Sequence, residues 1–242
     1  LFASFVILMS LIGCANNEIN NNKELKKEKP IVLTTFTVLA DMASNVAGDR
    51  LTIRSITKLG AEIHGYQPTP SDLVNASGAD LIVENGFGLE LWARKFTSSI
   101  GGDVPTLILT KGMTPLLIDG DVYAGKPNPH AWMSPKRAMQ YVDKLVEGFI
   151  KLDPEGKETF QQNGRIYKDK LQNLDSELSR SLALIPSEKR VLVSCEGAFT
   201  YLTNDYGMEE AYLWPVNAES QVTPKRMLNL ISIIKEKKIP VV

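Results

Sequence analysis

The segment from Lys126 to Pro135 has the sequence KPNPHAWMSP, and the fold prediction starts from it. Its prolines restrict the backbone to extended conformations. Ser134 followed by Pro135 is typical of an N-cap and the first position of a helix. His130, one of only two histidines in 242 residues, is therefore expected in a rigid loop directly before a helix.

The second histidine, His64, lies in a similar setting, in the segment GAEIHGYQPTP at residues 60–70. A strand-like run precedes it. Thr69, Pro70 and Asp72 then give the cap, first-turn proline and acidic residue that begin a helix. Ligands of open α/β sheets bind at the carboxyl ends of the strands. Both histidines are thus predicted to lie where ligands bind.

Apolar runs alternate with helical patterns around these loops. Strands are predicted near residues 31–36, 51–56, 81–83 and 106–109, and helices near 38–46, from 70, near 89–96 and 135–152. This alternation predicts a parallel sheet with helices on both faces. The same alternation returns after Pro186, with strands predicted near 191–193, 211–213 and 239–242 and helices near 199–206 and 224–237.

One long helical pattern, near residues 155–184, separates these two regions. Its apolar residues recur three or four positions apart, which defines one helix face. A surface helix packed on one domain would have the same pattern. We favour a connector between two lobes, because the alternation of predicted strands and helices starts again after it.

The first 29 residues are expected to lie outside the fold. Residues 1–14 form an apolar run too short to span a bilayer, ending in small residues before Cys14, as in a lipoprotein signal peptide with a diacylated cysteine. A plain signal peptide and a core segment are the alternatives. Residues 15–29 are predicted to be a disordered tether. We expect lobes at 30–153 and 187–242, a linking helix at 154–186, and a fragment at both ends.

The composition excludes some classes of function. A formal charge of −1 and an apolar fraction of 43% suit a soluble globular protein. No basic stripe points to nucleic acid. The first predicted strand is not followed by a glycine-rich turn or a Walker lysine, so nucleotide binding is a poor candidate.

A carboxylate joins the two histidines as a candidate ligand. Glu196 follows the strand predicted near residue 191, where the chain leaves the second sheet. Two imidazoles and a carboxylate make a plausible first shell for a divalent transition metal. Taken singly, each residue is more often structural, a histidine as a hydrogen-bonding group and a glutamate as a solvated or capping group. No short-range metal motif strengthens the set.

The segments GAEIHGYQP, NPHAW and SCEGAF (residues 60–68, 128–132 and 194–199) resemble motifs of the metal receptors of ABC importers. These are solute-binding lipoproteins for manganese, zinc or iron. The resemblance runs from about residue 30 to 242. It implies two α/β lobes, each with a parallel sheet flanked by helices, joined by one rigid helix with the metal between them. His64, His130 and Glu196 would be ligands, and a fourth, an aspartate, is expected beyond Val242.

The resemblance also bears on the metal and the partners. Zinc receptors of this family usually carry a histidine-rich loop before the second histidine and a third histidine in the second lobe. Here residues 118–126 contain no histidine, and Glu196 is an oxygen donor. We therefore predict Mn²⁺, with Zn²⁺ and Fe²⁺ as alternatives. Implied partners are a permease and its ATPase. A monomer is expected, anchored through Cys14 at the outer face of the cytoplasmic membrane, in a periplasm or at the cell surface.

Two other functions stay open at this point. A secreted metallo-hydrolase would need a catalytic base, and no motif supplies one. A surface adhesin is neither favoured nor opposed. We expect acid to weaken metal binding, because both histidines must bind as neutral imidazoles.

Cys195 has three possible roles. It could be a small buried packing residue, or a metal ligand, although a thiolate is too soft for manganese. We favour a disulfide with a cysteine beyond Val242, because a lone thiol is unusual in an exported protein.

Overall fold

The computed structural model describes residues 28–101, 103–119, 123–216 and 222–239. The predicted signal peptide with Cys14, nearly all of the tether and most of the strand predicted at 239–242 lie outside these ranges. Within them, no helix combines the length and the apolar character that crossing a membrane requires.

The first sheet has four parallel strands in the spatial order β2-β1-β3-β4. Their bounds are β1 Ile31–Thr34, β2 Thr52–Ser55, β3 Leu81–Glu84 and β4 Thr106–Ile108. The sequence prediction of a parallel sheet is confirmed. Because all four strands run in one direction, the loops that follow them leave from the same edge.

Helices cover both faces of this sheet, as predicted. They are α1 Thr37–Ala47, α2 Pro70–Ala76, α3 Ala93–Ile100 and α4 Pro135–Leu152. Val32 and Val83 belong to a large core with α1 and α4, whereas Leu33 and Ile82 belong to a smaller core with α2 and α3. Consecutive strand residues point to opposite faces, so each strand contributes to both cores.

The predicted helix at 89–96 is misplaced by four residues, since α3 begins at Ala93. The cause lies in Glu90, whose carboxylate accepts hydrogen bonds from the backbone N–H groups of Asn85 (2.7 Å) and Gly86 (3.2 Å). These bonds hold the chain after β3 in a turn, which delays the helix.

The long helix α5, Lys157–Ala183, follows a 3₁₀ turn at Pro154–Gly156 and spans 27 residues, or roughly 40 Å. Its first half packs against the first lobe through Phe160 and Gly164, which are buried. A Cβ at Gly164 would lie 2.6 Å from Val146 Cγ2, so only glycine permits this close approach to α4. Its last half is mostly exposed and leads toward the second sheet. The packed-helix interpretation therefore describes the first half of α5, and the connector interpretation describes the last half.

The second sheet pairs β5, Val191–Glu196, with β6, Glu209–Trp214, in parallel. The helices of this region are α6 Thr200–Asp205 and α7 Pro224–Glu236. Both strands are longer than predicted. Glu196 is therefore the last residue of β5 and not part of the following loop.

The helix α6 is attached to the first lobe. Tyr201 is fully buried in the large first core, and its hydroxyl donates to the carbonyl of Asn128 at 2.8 Å. Asp205 accepts from Arg137 Nη2 at 2.8 Å. The division into lobes at 30–153 and 187–242 stays a proposal, since this helix of the second part shares the core of the first.

Ser134 occupies the N-cap position of α4, with Pro135 at the first helical position, as predicted. Its hydroxyl does not cap the helix, however. It donates instead to Asp205 Oδ2 at 2.6 Å. The predicted N-cap position is thus correct, but the hydroxyl oxygen accepts no capping hydrogen bond from the first turn, and the side chain is oriented by the Asp205 carboxylate of α6.

Cys195 is exposed and forms no disulfide within the described residues. The interpretation of Cys195 as a buried packing residue is therefore wrong. The bridge to a residue beyond Val242 stays a prediction.

Candidate metal centre

His130 lies at the start of the 3₁₀ turn Ala131–Met133, directly before α4. Its side chain is almost completely buried, and its ring centroid lies 5.2 Å from that of Trp132. Asn128 Oδ1 bonds to the backbone N–H of His130 at 3.1 Å and to ring Nδ1 at 2.9 Å. The ring is thus fixed on one side, and Nε2 faces the candidate site.

His64 lies in the loop between β2 and α2. The Glu62 carboxylate accepts the backbone N–H of His64 at 2.6 Å. Trp92 Nε1 donates to the carbonyl of Ile63, the preceding residue, at 2.9 Å. The His64 side chain is 8% exposed. Local bonds and one tryptophan therefore hold the loop in place.

Glu196 reaches the site from the second sheet, at the carboxyl end of β5. In the sheet it pairs with Trp214 of β6. The Glu196 side chain is 25% exposed, so the carboxylate lies at the mouth of the cluster while the imidazoles lie deeper.

The three predicted residues come together. His64 Nε2 and His130 Nε2 are 3.2 Å apart, and Glu196 Oε1 lies 3.6 Å from the first and 3.9 Å from the second. Bonds of about 2.1 Å to one ion would separate neighbouring donor atoms by roughly 3.0–3.4 Å. The cluster is thus within a few tenths of an ångström of a first shell, and the group could hold a metal ion.

Burial lowers the pKa of His130 to about 3, and the neighbouring His64 ring contributes to the same direction. The first cause is desolvation, which disfavours the imidazolium. His130 is consequently neutral throughout the physiological range, as a metal ligand must be. The expectation that acid weakens metal binding stays a prediction, and the lowered pKa of His130 indicates that His130 loses its neutral form only at low pH.

Several residues that matter for this cluster were not identified from the sequence. Asn128 orients His130, and Trp92 and Trp214 hold the chain next to His64 and Glu196. The signal for Asn128 was available in its position two residues before His130 within the proline-rich segment. The contacts of Trp92 and Trp214 have no local sequence signal. Cys195 precedes Glu196 in β5 and so points to the opposite face.

The fold and the cluster define the class: an α/β protein with a candidate metal site between two parallel sheets. Residues 32–242 match the family model described as zinc-uptake complex component A, periplasmic. The chain belongs to this family of periplasmic metal-binding receptors of ABC importers.

Curated relatives agree with this membership. The chain is 48% identical to the iron-binding protein YfeA of Yersinia pestis over 239 residues, which cover 99% of this chain and 76% of that protein. It is 32% identical to the manganese ABC transporter substrate-binding lipoprotein PsaA of Streptococcus pneumoniae, over 97% of this chain and 76% of that protein. Both are named as binding proteins, and the family is one of substrate-binding receptors of ABC importers. The metallo-hydrolase interpretation is therefore excluded.

Solved structures show the same fold. The manganese-bound periplasmic metal-binding protein of Candidatus Liberibacter asiaticus matches with a TM-score of 0.79 and 32% identity, over 87% of this chain and 77% of that chain. The periplasmic zinc-binding protein TroA of Treponema pallidum matches with a TM-score of 0.79 and 28% identity, over 88% and 76% respectively. The predicted fold class is confirmed.

Proposed function

We propose that this receptor binds Mn²⁺ through His64, His130 and Glu196 and delivers it to its permease. The observation that supports the proposal most is the convergence of the three donor atoms. They come from two different sheets, yet Oε1 of Glu196 lies 3.6 Å and 3.9 Å from the two imidazole nitrogens. Such a cluster is arranged around the space that one ion would fill.

The choice of manganese rests on the donor set. Carboxylate oxygen suits Mn²⁺ better than it suits the softer metals, and Glu196 supplies it where an imidazole would favour zinc. Relatives named as manganese receptors support this choice. Raw affinity still follows the Irving–Williams order, so Zn²⁺ is expected to bind in vitro as well.

Fe²⁺ is the second candidate. The relative from Yersinia pestis, named as an iron-binding protein, is 48% identical to this chain. Fe²⁺ stands next to Mn²⁺ in the Irving–Williams order, and imidazole and carboxylate ligands suit both ions.

Capture would require little rearrangement. His130 is already neutral and fixed by Asn128, and α6 ties the segment after Glu196 to the first lobe. A large opening between the sheets would break the buried contacts of Tyr201 and Asp205. Release to the permease would therefore act through a loop, and the His64 loop, held mainly by local bonds, is the one that can move.

An anchor at Cys14, a monomeric state and an adhesin role stay untested hypotheses.

Metal binding by the chelator-stripped full-length protein tests this function. Anaerobic titration calorimetry with Mn²⁺, Fe²⁺ and Zn²⁺, with metal content measured after gel filtration, should give one ion per chain. Uptake of radioactive manganese by cells that lack only this protein should fail. Absence of stoichiometric binding would refute the receptor proposal. Stoichiometric iron in protein isolated from its own cells would replace manganese by iron.

A further inference from the structure

Asn128 connects the first-lobe histidine to the chain after the second-lobe carboxylate. Its side chain is buried, with 2% exposure. Oδ1 bonds to the backbone N–H and the ring Nδ1 of His130. Nδ2 donates to the carbonyl of Gly197 at 2.7 Å and to Thr200 Oγ1 at 3.0 Å. All four hydrogen-bonding positions of the amide are therefore used.

These partners fix the orientation of the amide. The carbonyl of Gly197 can only accept a hydrogen bond, so it must face the NH₂ group. The backbone N–H of His130 can only donate, so it must face Oδ1. Since Oδ1 cannot donate, Nδ1 of His130 must carry the hydrogen. The neutral ring then has its lone pair on Nε2, the atom that faces His64 and Glu196.

The hydrogen bonds continue beyond Asn128. Thr200 Oγ1 donates to Glu210 Oε2 at 2.7 Å, so its lone pairs are available to accept from Asn128. One line of donors, from His130 Nδ1 through Asn128 Nδ2 to Thr200 Oγ1, thus points toward the Glu210 carboxylate of β6. Such an aligned chain strengthens each of its members, and it crosses from the first lobe to the second.

We propose that Asn128 is a positioning residue with two linked effects. It holds His130 in the Nδ1–H tautomer, which leaves Nε2 free for the ion. The same amide holds the turn after Glu196 against the first lobe, so that the carboxylate and the imidazoles meet. This inference rests on the proposed function, because it takes His130 and Glu196 to be ligands.

Replacing Asn128 should therefore act on the metal without direct contact to it. In Asn128→Leu the Nδ1–H of His130 loses its acceptor, and the tautomer with hydrogen on Nε2, which an imidazole prefers in water, becomes populated. That hydrogen blocks the ligand atom. Loss of partners that orient metal-binding histidines typically weakens affinity about 10–100-fold, and we expect this range for Mn²⁺.

Asn128→Asp separates the two effects. Its carboxylate still accepts from Nδ1 of His130, so the tautomer is kept. It cannot donate to Gly197 or Thr200, so the turn after Glu196 is released. We expect Mn²⁺ affinity between those of the wild type and Asn128→Leu. The control is Tyr201→Phe, which removes a neighbouring hydrogen bond to the backbone of Asn128 but leaves its side chain. It should lower the unfolding temperature and change Mn²⁺ affinity less than threefold.

The experiment combines nitrogen-15 NMR of the imidazoles in the metal-free full-length protein with Mn²⁺ titration of all four proteins. The wild type and Asn128→Asp should show Nδ1–H at His130, and Asn128→Leu a shift toward Nε2–H. An unchanged tautomer and wild-type affinity in Asn128→Leu would overturn the inference. So would wild-type affinity in Asn128→Asp, or a loss in Tyr201→Phe equal to that in Asn128→Leu. If the wild type binds no metal, the proposed function fails, while the metal-free spectra still test the tautomer.

Discussion

The Nε2 atoms of His64 and His130 lie 3.2 Å apart, although 66 positions separate the two residues in sequence. His64 lies in the loop after β2 and His130 in the segment after β4, and these are the two edge strands of the first sheet. Both segments must therefore turn inward over the carboxyl ends of the central strands to meet. Two loops from opposite edges of the sheet thus place both imidazole nitrogens where one ion could bind them together.

Removing either histidine should weaken metal binding, but only the removal of His130 should also lower the stability of the protein. His64→Ala should weaken Mn²⁺ binding at least tenfold and leave stability near that of the wild type. His130→Ala should weaken binding equally and also destabilise the metal-free protein by about 1–3 kcal/mol, because Asn128 Oδ1 then loses both a ring donor and its packing. Calorimetric titration and urea unfolding measure the two effects. Wild-type affinity in either variant would remove that histidine from the site.

Replacing Glu196 should change selectivity as well as affinity. Glu196→His makes the donor set richer in nitrogen, which favours Zn²⁺ over Mn²⁺ relative to the wild type. A competition titration with both metals gives the ratio of affinities for each protein. Glu196→Gln is the matched control, since it keeps an oxygen donor but removes the charge. An unchanged zinc-to-manganese ratio in Glu196→His would show that Glu196 does not set the preference.

All three tryptophans of the chain adjoin candidate ligands. The Trp132 ring contacts that of His130, Trp92 bonds the residue before His64, and Trp214 pairs with Glu196. We expect Trp132→Phe to reduce the metal-dependent fluorescence change without abolishing it. A complete loss in this variant would mean that the other two tryptophans do not sense the ion.

Strand and helix positions near the site could be predicted because they depend on local patterns. The alternation of apolar residues indicated β1 to β4, and the proline-rich segment indicated the start of α4. The two histidines followed, since residues after parallel strands converge at one edge. Glu196 followed from its place after the strand predicted near residue 191, and the resemblance of the motifs supported all three residues.

Contacts between distant segments could not be predicted in the same way. Ser134 has the local signature of a helix cap and occupies that position, yet its hydroxyl is oriented by a carboxylate 71 positions away, to which it donates. Similarly, nothing in the pattern around Tyr201 indicates that it belongs to the core of the first lobe. Tertiary partners decide such cases, because a hydrogen bond to a charged acceptor is stronger than one between neutral groups.

The pairing of Asp205 with α4 should contribute measurably to stability. Its side chain is 8% exposed and accepts from Ser134 Oγ and Arg137 Nη2. Asp205→Ala would leave Arg137 without its partner, and we expect a loss of about 2–3 kcal/mol, below the ~3–5 kcal/mol of fully buried pairs. The control is Asp143→Ala, whose carboxylate is 54% exposed beside Lys168 and should cost less than about 1 kcal/mol. Equal losses in urea unfolding would contradict the inter-lobe role.

Glu84, the last residue of β3, should make stability depend on pH. Burial raises its pKa to about 7, and the nearby Glu90 carboxylate adds to the rise while Arg94 opposes it. The pKa of this group in the unfolded chain is near 4.5. Between these two values the folded protein binds more protons than the unfolded chain, so this group lowers stability as pH rises. Glu84→Gln removes the effect. The free energy of unfolding of Glu84→Gln should therefore rise relative to that of the wild type from about pH 5 to pH 7. The difference should then stay constant up to pH 8. Urea unfolding of both metal-free proteins at each pH measures the difference, and Glu147→Gln, at an exposed position of α4, controls for the loss of one carboxylate. A constant difference between Glu84→Gln and the wild type across this range would show that Glu84 ionises alike in the folded and unfolded states.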